Sequence, residues 1–257
     1  MPVSKRIRRW VKRNVPFAVP VWEAWVGFLA WQRRLLYARK GREYAFTAIY
    51  KRGGWGGESL SGPGSTMDGT AAIRDALPQL FTEFGIRSMI DAPCGDFHWM
   101  RYVALDRVQY TGLDLVPKLI ECTSQLYGND KRRFAVCDLV VGPVPRADLF
   151  FCRDCLVHLA LDEAVAAVRN IVAGGSQYVL CTTFPETTRN KEIVTGEWRS
   201  LNMQLPPFNF PPPLKLINEN YIAGNGSYAD KSIGLWAVAD LKDCVGGEVN
   251  NERVTNA

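Results

Sequence analysis

The sequence predicts an α/β protein with a doubly wound, mostly parallel seven-stranded sheet, an antiparallel C-terminal hairpin and a basic, helical N-terminal extension. Three observations lead to this fold class. From about residue 87 onward, short apolar runs alternate with helical patterns, which is typical of βαβ units. Two late apolar runs lie close enough along the chain to pair as a hairpin. The chain has 257 residues, 47% of them hydrophobic, so it can bury a sizeable core.

The expected elements follow from the apolar runs and from the glycines that interrupt them. Residues 161–173 carry apolar side chains at helical spacing and stop at Gly174 and Gly175. Residues 116–127 form a second helix that ends at Gly128, and a short helix is expected within residues 99–105. The expected strands, in chain order, cover residues 88–92, 109–114, 133–137, 148–152, 177–182, 214–222 and 232–238.

Composition divides the chain into three parts: a helical extension at residues 1–50, the main domain at residues 51–245 and a flexible tail at residues 246–257. Residues 1–42 carry eleven Lys or Arg and one acid, a charge of +10, whereas the other 20 basic and 25 acidic residues give −5. Enzymes that act on nucleic acids more often spread basic residues over the active face. The pattern therefore argues against a nucleic-acid partner.

Two interpretations of the extension stay open. Its apolar stretch at residues 15–31 contains Glu23 and is shorter than the ~20 apolar residues of a membrane span. The extension either packs its Trp and Leu side chains on the domain, or lies through residues 1–40 against an anionic membrane.

Seven cysteines without regular spacing favour a reducing, cytoplasmic environment over a disulfide framework. The Cys152–Cys155 pair lacks the second pair of ligands that a zinc site needs. Strand five ends in Thr182-Thr183-Phe184, which supplies no carboxylates for a metal, so we expect no metal site.

Acidic residues close or follow each of the first strands. Asp91, Asp114 and Asp138 end the first three expected strands, and Arg153-Asp154 follow the fourth. In an open parallel sheet, ligands bind at the carboxyl ends of the strands near the switch in strand order. Such a crevice suits a nucleoside with a charged amino-acid tail, because the acids can accept from its ammonium, ribose hydroxyls and adenine amino group.

These residues resemble the class I S-adenosylmethionine-dependent methyltransferases over about residues 66–240. IDAPCGD at residues 90–96 resembles the first motif of that family, although it keeps only Gly95 of the commoner three glycines. GLDL resembles the second motif, which implies that Asp114 binds the ribose. CDLV resembles the third, which implies that Asp138 takes the adenine amino group. The implied S-adenosylmethionine site comprises Asp91, Pro93, Cys94, Gly95, Asp96, Trp99, Asp114, Leu115, Asp138, Leu139 and Arg153.

Dinucleotide binding is the runner-up among cofactor classes, and it is weak. The pattern GxGxxG is absent at the first βα turn, so the backbone leaves little room for a pyrophosphate. A P-loop is excluded because no GxxxxGK[ST] occurs.

His158 is the candidate catalytic base. It follows Asp154 by four positions, which would let the carboxylate orient the ring if the segment is helical. A neutral imidazole suits removal of a proton from a substrate hydroxyl. The alternative is a helix residue packed under the loop that follows.

Two long irregular segments, residues 51–68 and 186–213, are typical of lids or binding loops. We expect Trp55, His98 and Phe208 to contact the substrate. The predicted function is methyl transfer to a small-molecule or glycan-type acceptor, at a hydroxyl oxygen. N-methylation of a small amine and a non-catalytic cofactor-binding scaffold are the alternatives.

Overall fold

A computed structural model describes residues 15, 17, 19–54, 56–221 and 228–244. Trp55 and the expected tail at residues 246–257 lie outside the described residues. The seven strands that it contains form one sheet in the order β3-β2-β1-β4-β5-β7-β6. Their bounds are β1 (Ser88–Asp91), β2 (Gln109–Asp114), β3 (Arg132–Val136), β4 (Leu149–Cys152), β5 (Tyr178–Thr183), β6 (Lys215–Asn218) and β7 (Ser232–Ala237).

The strand pairing confirms the predicted fold class. Strands β1 to β5 pair in parallel, and β7 lies antiparallel between β5 and β6. The chain winds outward from β1 to β3 on one side and then from β4 onward on the other. The switch in strand order therefore lies between β1 and β4, and a ligand crevice is expected at their carboxyl ends.

Among the described residues, four α-helices flank or precede the sheet: α1 (Val19–Lys51), α2 (Ala71–Glu83), α3 (Pro117–Tyr127) and α4 (Leu161–Ala173). Helix α3 starts with a proline, which has no N–H to leave unpaired in the first turn. Helix α4 carries Asp162 and Glu163 in its first turn, where their negative charges interact favourably with the positive end of the helix dipole. The short helix expected within residues 99–105 is a 3-10 turn at Met100–Tyr102.

Each face of the sheet carries its own hydrophobic core. Along β4, Phe150 and Cys152 pack into one cluster with α4, whereas Leu149 and Phe151 pack into the other with α2. A strand covered on both faces needs an unbroken apolar sequence, which explains the run LFFC.

Helix α1 consists of two helices that meet at Gly41, where φ is +80°. Tyr37, Ala45 and Ile49 are buried against the domain, so the part of α1 from Tyr37 onward packs on the body. Before Tyr37, by contrast, most of the large apolar side chains are exposed, and Trp22 is half-buried. Packing on the domain, the first interpretation of the extension, therefore describes only the later part of α1. No helix among the described residues is long and apolar enough to cross a membrane.

Candidate functional site

A cleft lies at the carboxyl ends of β1, β2 and β4, with α1 as one wall. All eleven residues that the methyltransferase resemblance assigned to the cofactor line it, as do Asp154 and His158. The described structure thus gathers the acids from successive strand ends into one site. Five carboxylates and two arginines line the cleft: Asp91, Asp96, Asp114, Asp138 and Asp154 against Arg42 and Arg153.

The turn after β1 is held tightly against β2. The Cys94 amide donates to the Leu113 carbonyl at 2.8 Å, and the Gly95 amide donates to Asp114 Oδ2 at 3.2 Å. Gly95 has φ of +56°, and a Cβ at this position would lie 2.1 Å from Ser61 Oγ. This one glycine is therefore required both by the backbone conformation and by the loop that closes over it.

Asp91 is buried at the end of β1. Its Oδ2 accepts a 2.5 Å hydrogen bond from the Tyr110 hydroxyl. Burial raises the pKa of Asp91 to about 7, although the Tyr110 hydrogen bond and the Arg153 charge oppose the shift. A positive ligand group beside Asp91 would favour its ionised form.

Asp114 ends β2, and each of its carboxylate oxygens meets a backbone amide. Oδ1 accepts from Val116 at 3.0 Å, and Oδ2 accepts from Gly95. Burial raises the pKa of Asp114 to about 6 against the effect of these amides. Because a carboxylate can accept about four hydrogen bonds, Asp114 retains acceptor capacity for two ligand hydroxyls.

Asp138 lies two residues after β3, beside helix α1. Arg42 Nε donates to Asp138 Oδ1 at 2.8 Å and to Oδ2 at 2.7 Å, and the Val140 amide donates to Oδ1 at 2.9 Å. Arg42 Nη1 also lies 3.0 Å from Glu163 Oε1 in the first turn of α4. The N-terminal extension thus contributes directly to this end of the cleft.

Asp96 organises the loop that precedes α2. It accepts from the Ser59 hydroxyl at 2.9 Å and from the Leu60 amide at 2.8 Å. These bonds bring Ser61 and Ser65 to the cleft wall. Asp96 lines the cleft as expected, and its carboxylate also fixes the lead-in loop.

Behind the cleft, four charged side chains form a buried network. Arg153 Nε donates to Glu219 Oε1 at 2.5 Å, and Lys231 Nζ donates to Asp154 Oδ2 at 2.6 Å and lies 3.0 Å from Glu219 Oε2. Burial alone would raise the pKa of Asp154, but the charges of Lys231 and Arg153 outweigh it and hold that pKa well below its ordinary value. Asp154 therefore stays ionised at neutral pH.

His158 reaches the cleft from a 3-10 turn at Leu156–His158 instead of an α-helix. Asp154 has φ of +52°, so the expected helical spacing between these two residues is wrong. The ring Nδ1 lies 2.7 Å from the Glu197 carbonyl, which helps to orient the imidazole. Burial lowers the pKa of His158 below its ordinary 6.5.

Two of the three expected substrate residues, Phe208 and His98, do not line this cleft. Phe208 is fully buried and packs edge-on against Phe210 in the core, so it presents no surface to a substrate. His98 lies beside the first-motif turn, 3.8 Å from Glu58 through Nε2, and is absent from the cleft wall. Trp55 falls outside the described residues.

Sequence reasoning missed the wall that α1 supplies. Arg42, Phe46 and Tyr50 all line the cleft, and their spacing of four residues places them on one helix face. That spacing indicates a shared helix face, but no motif links these three residues to an acid at the end of a strand. No motif points to Glu219 or Lys231 either, so sequence reasoning missed both residues.

No protein-family model matches the chain, and neither does any curated protein. Solved structures do resemble it. The Burkholderia thailandensis 1,6-didemethyltoxoflavin-N1-methyltransferase, with bound 1,6-didemethyltoxoflavin and S-adenosylhomocysteine, is 18% identical with a TM-score of 0.52, covering 75% of this chain and 85% of that one. PigF with S-adenosylhomocysteine is 16% identical with a TM-score of 0.51, covering 89% of this chain and 72% of that one. These structural similarities show a shared architecture, and the chain has the fold of the class I S-adenosylmethionine-dependent methyltransferases.

Proposed function

We propose that this protein is an S-adenosylmethionine-dependent methyltransferase that acts on a hydroxyl oxygen of a small-molecule or glycan-type acceptor. The observation that carries the proposal is the convergence of Asp91, Asp114 and Asp138 on the cleft that also contains His158. Both similar structures were solved with S-adenosylhomocysteine, the demethylated form of that cofactor.

The residues present fit this cofactor. Asp114 would accept from the ribose hydroxyls, Asp138 would accept from the adenine amino group, and Asp91 would accept from the ammonium group. Five carboxylates against two arginines give the cleft a negative balance that favours a cationic ligand. When bound, the cofactor would supply an electrophilic methyl group on a sulfonium.

His158 is suited to take the proton from the acceptor hydroxyl. Because the Glu197 carbonyl can only accept, Nδ1 of the neutral ring carries the proton and Nε2 holds the lone pair. The lowered pKa keeps the ring neutral at pH 7. Asp154 remains ionised and would stabilise the imidazolium that forms when His158 takes up the proton.

Titration calorimetry with S-adenosylhomocysteine tests the cofactor assignment. Asp114→Asn should weaken binding by roughly tenfold to a hundredfold, because charged hydrogen bonds to the ribose are lost. The exposed Asp106→Asn is the matched control and should bind like the unaltered protein. Absence of binding by the unaltered protein would falsify the proposed activity.

A transfer assay tests the acceptor. The protein is incubated with methyl-labelled S-adenosylmethionine and a cell extract separated into small-molecule, polysaccharide and protein fractions. Label in an O-methyl ether of either of the first two fractions supports the proposal. Label on an amine, or cofactor binding without any transfer, contradicts it in favour of the N-methyltransferase or scaffold alternative.

We also propose that the part of α1 before Tyr37 contacts an anionic membrane surface. Its large apolar side chains are at least half exposed at Val21, Trp25, Phe28, Trp31 and Leu35. Aromatic and basic residues together are typical of interfacial helices, and the +10 charge of residues 1–42 complements anionic lipid. The same charge opposes pairing of two copies through this segment.

Co-sedimentation with vesicles containing anionic lipid tests this contact. Replacing Trp25, Phe28 and Trp31 together by Ser should release the protein into the supernatant, and neutral vesicles should bind the unaltered protein weakly. Leu126→Ser, which alters an equally exposed apolar residue on α3, is the control. Unchanged binding by the triple variant, or a dimer in light scattering that the triple variant abolishes, contradicts the proposal.

A further inference from the structure

Arg42 is the residue by which the N-terminal extension reaches the adenine end of the cleft. It follows the kink at Gly41, and its guanidinium bridges Asp138 and Glu163 at 2.7 to 3.0 Å. About four-fifths of each of the three side chains is shielded from solvent. Because the guanidinium is planar and its donors are rigid, a side chain that donates through Nε to Asp138 and through Nη1 to Glu163 fixes the relative position of the two carboxylates.

The hydrogen bonds of Asp138 leave one acceptor position open. An ionised carboxylate offers about four lone-pair sites. The single Nε–H of Arg42 is shared between Oδ1 and Oδ2, and the Val140 amide adds a second donor to Oδ1. The remaining site is on Oδ2, and Asp138 itself lines the cleft. A single N–H donor from a ligand can therefore bind there without displacing Arg42.

We propose that Arg42 is a positioning residue that orients the Asp138 carboxylate so that Oδ2 accepts from the 6-amino group of the cofactor's adenine. The inference rests on the proposed function. It differs from simple ion pairing, in which Arg42 would occupy Asp138 and compete with the ligand. The two cases predict opposite changes in affinity when Arg42 is removed.

The test compares S-adenosylhomocysteine with its analogue that carries hydrogen in place of the 6-amino group, by titration calorimetry. Arg42→Met should weaken binding of S-adenosylhomocysteine roughly tenfold, the scale of one charged hydrogen bond. The same substitution should leave the affinity for the analogue nearly unchanged, because the analogue makes no bond to Asp138. Arg42→Lys keeps the charge without the planar guanidinium that reaches both Asp138 and Glu163, and it should show an intermediate loss.

Arg39→Met is the matched control, since Arg39 is an exposed arginine three residues earlier on α1. Its affinity for both ligands should equal that of the unaltered protein. Equal losses for both ligands in Arg42→Met would show that Arg42 only supports the fold, and tighter binding would show competition; either result overturns the inference. If the unaltered protein binds neither ligand, the proposed function fails and the role of Arg42 fails with it.

Discussion

Individual residues in the cleft carry charges that cost folding free energy when no ligand is present. Asp91 and Asp114 are both buried, and burial raises the pKa of each, to about 7 and about 6. Between their unfolded and folded pKa values, the folded protein holds protons that the unfolded chain has lost. Their contribution to stability is therefore greatest at low pH and declines as the pH rises through these values.

Asp91→Asn should stabilise the ligand-free protein at pH 8. The amide oxygen can still accept from Tyr110, and no buried charge remains. We expect a gain in unfolding free energy of about 2 kcal/mol, less than the full pKa shift implies because the new N–H needs a partner. Denaturant unfolding at pH 8 and pH 4 measures this gain in unfolding free energy. The gain should vanish at pH 4, where Asp91 is protonated; a gain of equal size at both pH values would contradict the electrostatic explanation.

The rate of methyl transfer should depend on pH through His158. The base must be neutral, and its folded pKa is lowered by burial. The rate should therefore stay constant through pH 7 and fall with acidification, with a midpoint below pH 6.5. His158→Gln should lower kcat by roughly two to four orders of magnitude while leaving the affinity for S-adenosylhomocysteine intact. A midpoint above 6.5, or an unaltered kcat, would remove His158 from the role of base.

At the scale of elements, the turn between β1 and the 3-10 helix depends on Gly95. Gly95→Ala adds a Cβ at φ +56° and 2.1 Å from Ser61 Oγ. The expected loss of unfolding free energy is about 2 kcal/mol or more, part from the backbone and part from the clash. Adding Ser61→Gly should restore only the second part, as thermal unfolding would show.

Comparison with Gly53→Ala separates the backbone cost from the cost of the clash with Ser61. Gly53 has φ of +89°, and a Cβ there meets nothing within 4 Å. This control should show the backbone cost alone and should lose less stability than Gly95→Ala. Equal losses at the two positions would mean that the Ser61 clash relaxes without cost.

The strands and α3 and α4 could be predicted because each depends on a local pattern of apolar residues and glycines. The acids at the ends of β1 and β2 and just after β3 followed from the same pattern, since the end of a strand fixes where the next side chain lies. The turn that carries His158 was misassigned, because four-residue spacing suggested a helix. There Asp154 adopts a positive φ. Its carboxylate accepts a hydrogen bond from Lys231, which lies 77 residues later in the chain, just before β7.

Arg42 could not be found in this way. It contacts Asp138 across 96 residues, and no strand end or motif points to it. Its position depends on how α1 bends at Gly41 and packs against the body. Tertiary placement of this kind has no local signature.

Across the whole molecule, the buried network behind the cleft connects distant parts of the chain. Arg153 and Asp154 follow β4, Glu219 follows β6 and Lys231 precedes β7. Arg153 also donates a hydrogen bond to the Gly64 carbonyl at 2.7 Å, and this bond connects the loop before α2 to the network. The network thus holds the C-terminal hairpin and the lead-in loop against the same edge of the sheet.

Lys231→Met should destabilise the protein by roughly 3–5 kcal/mol, because Asp154 and Glu219 lose a partner inside the protein. A double variant with Glu219→Gln should recover part of that loss, since it removes the uncompensated charge. Lys215→Met, at a half-exposed pair with Glu83, is the control and should leave stability unchanged. Chemical denaturation measures all three; an additive loss in the double variant would mean that the charges act independently.

The raised pKa values of Asp91 and Asp114 also make the cleft a proton reservoir near neutral pH. A cationic occupant drives protons from these carboxyls into the solvent, whereas an occupant without that positive charge leaves more of them in place. The number of bound protons therefore changes with the charge of the ligand. The ammonium group proposed to bind beside Asp91 is present in the cofactor both before and after methyl transfer, so binding of either form should release protons to the solvent.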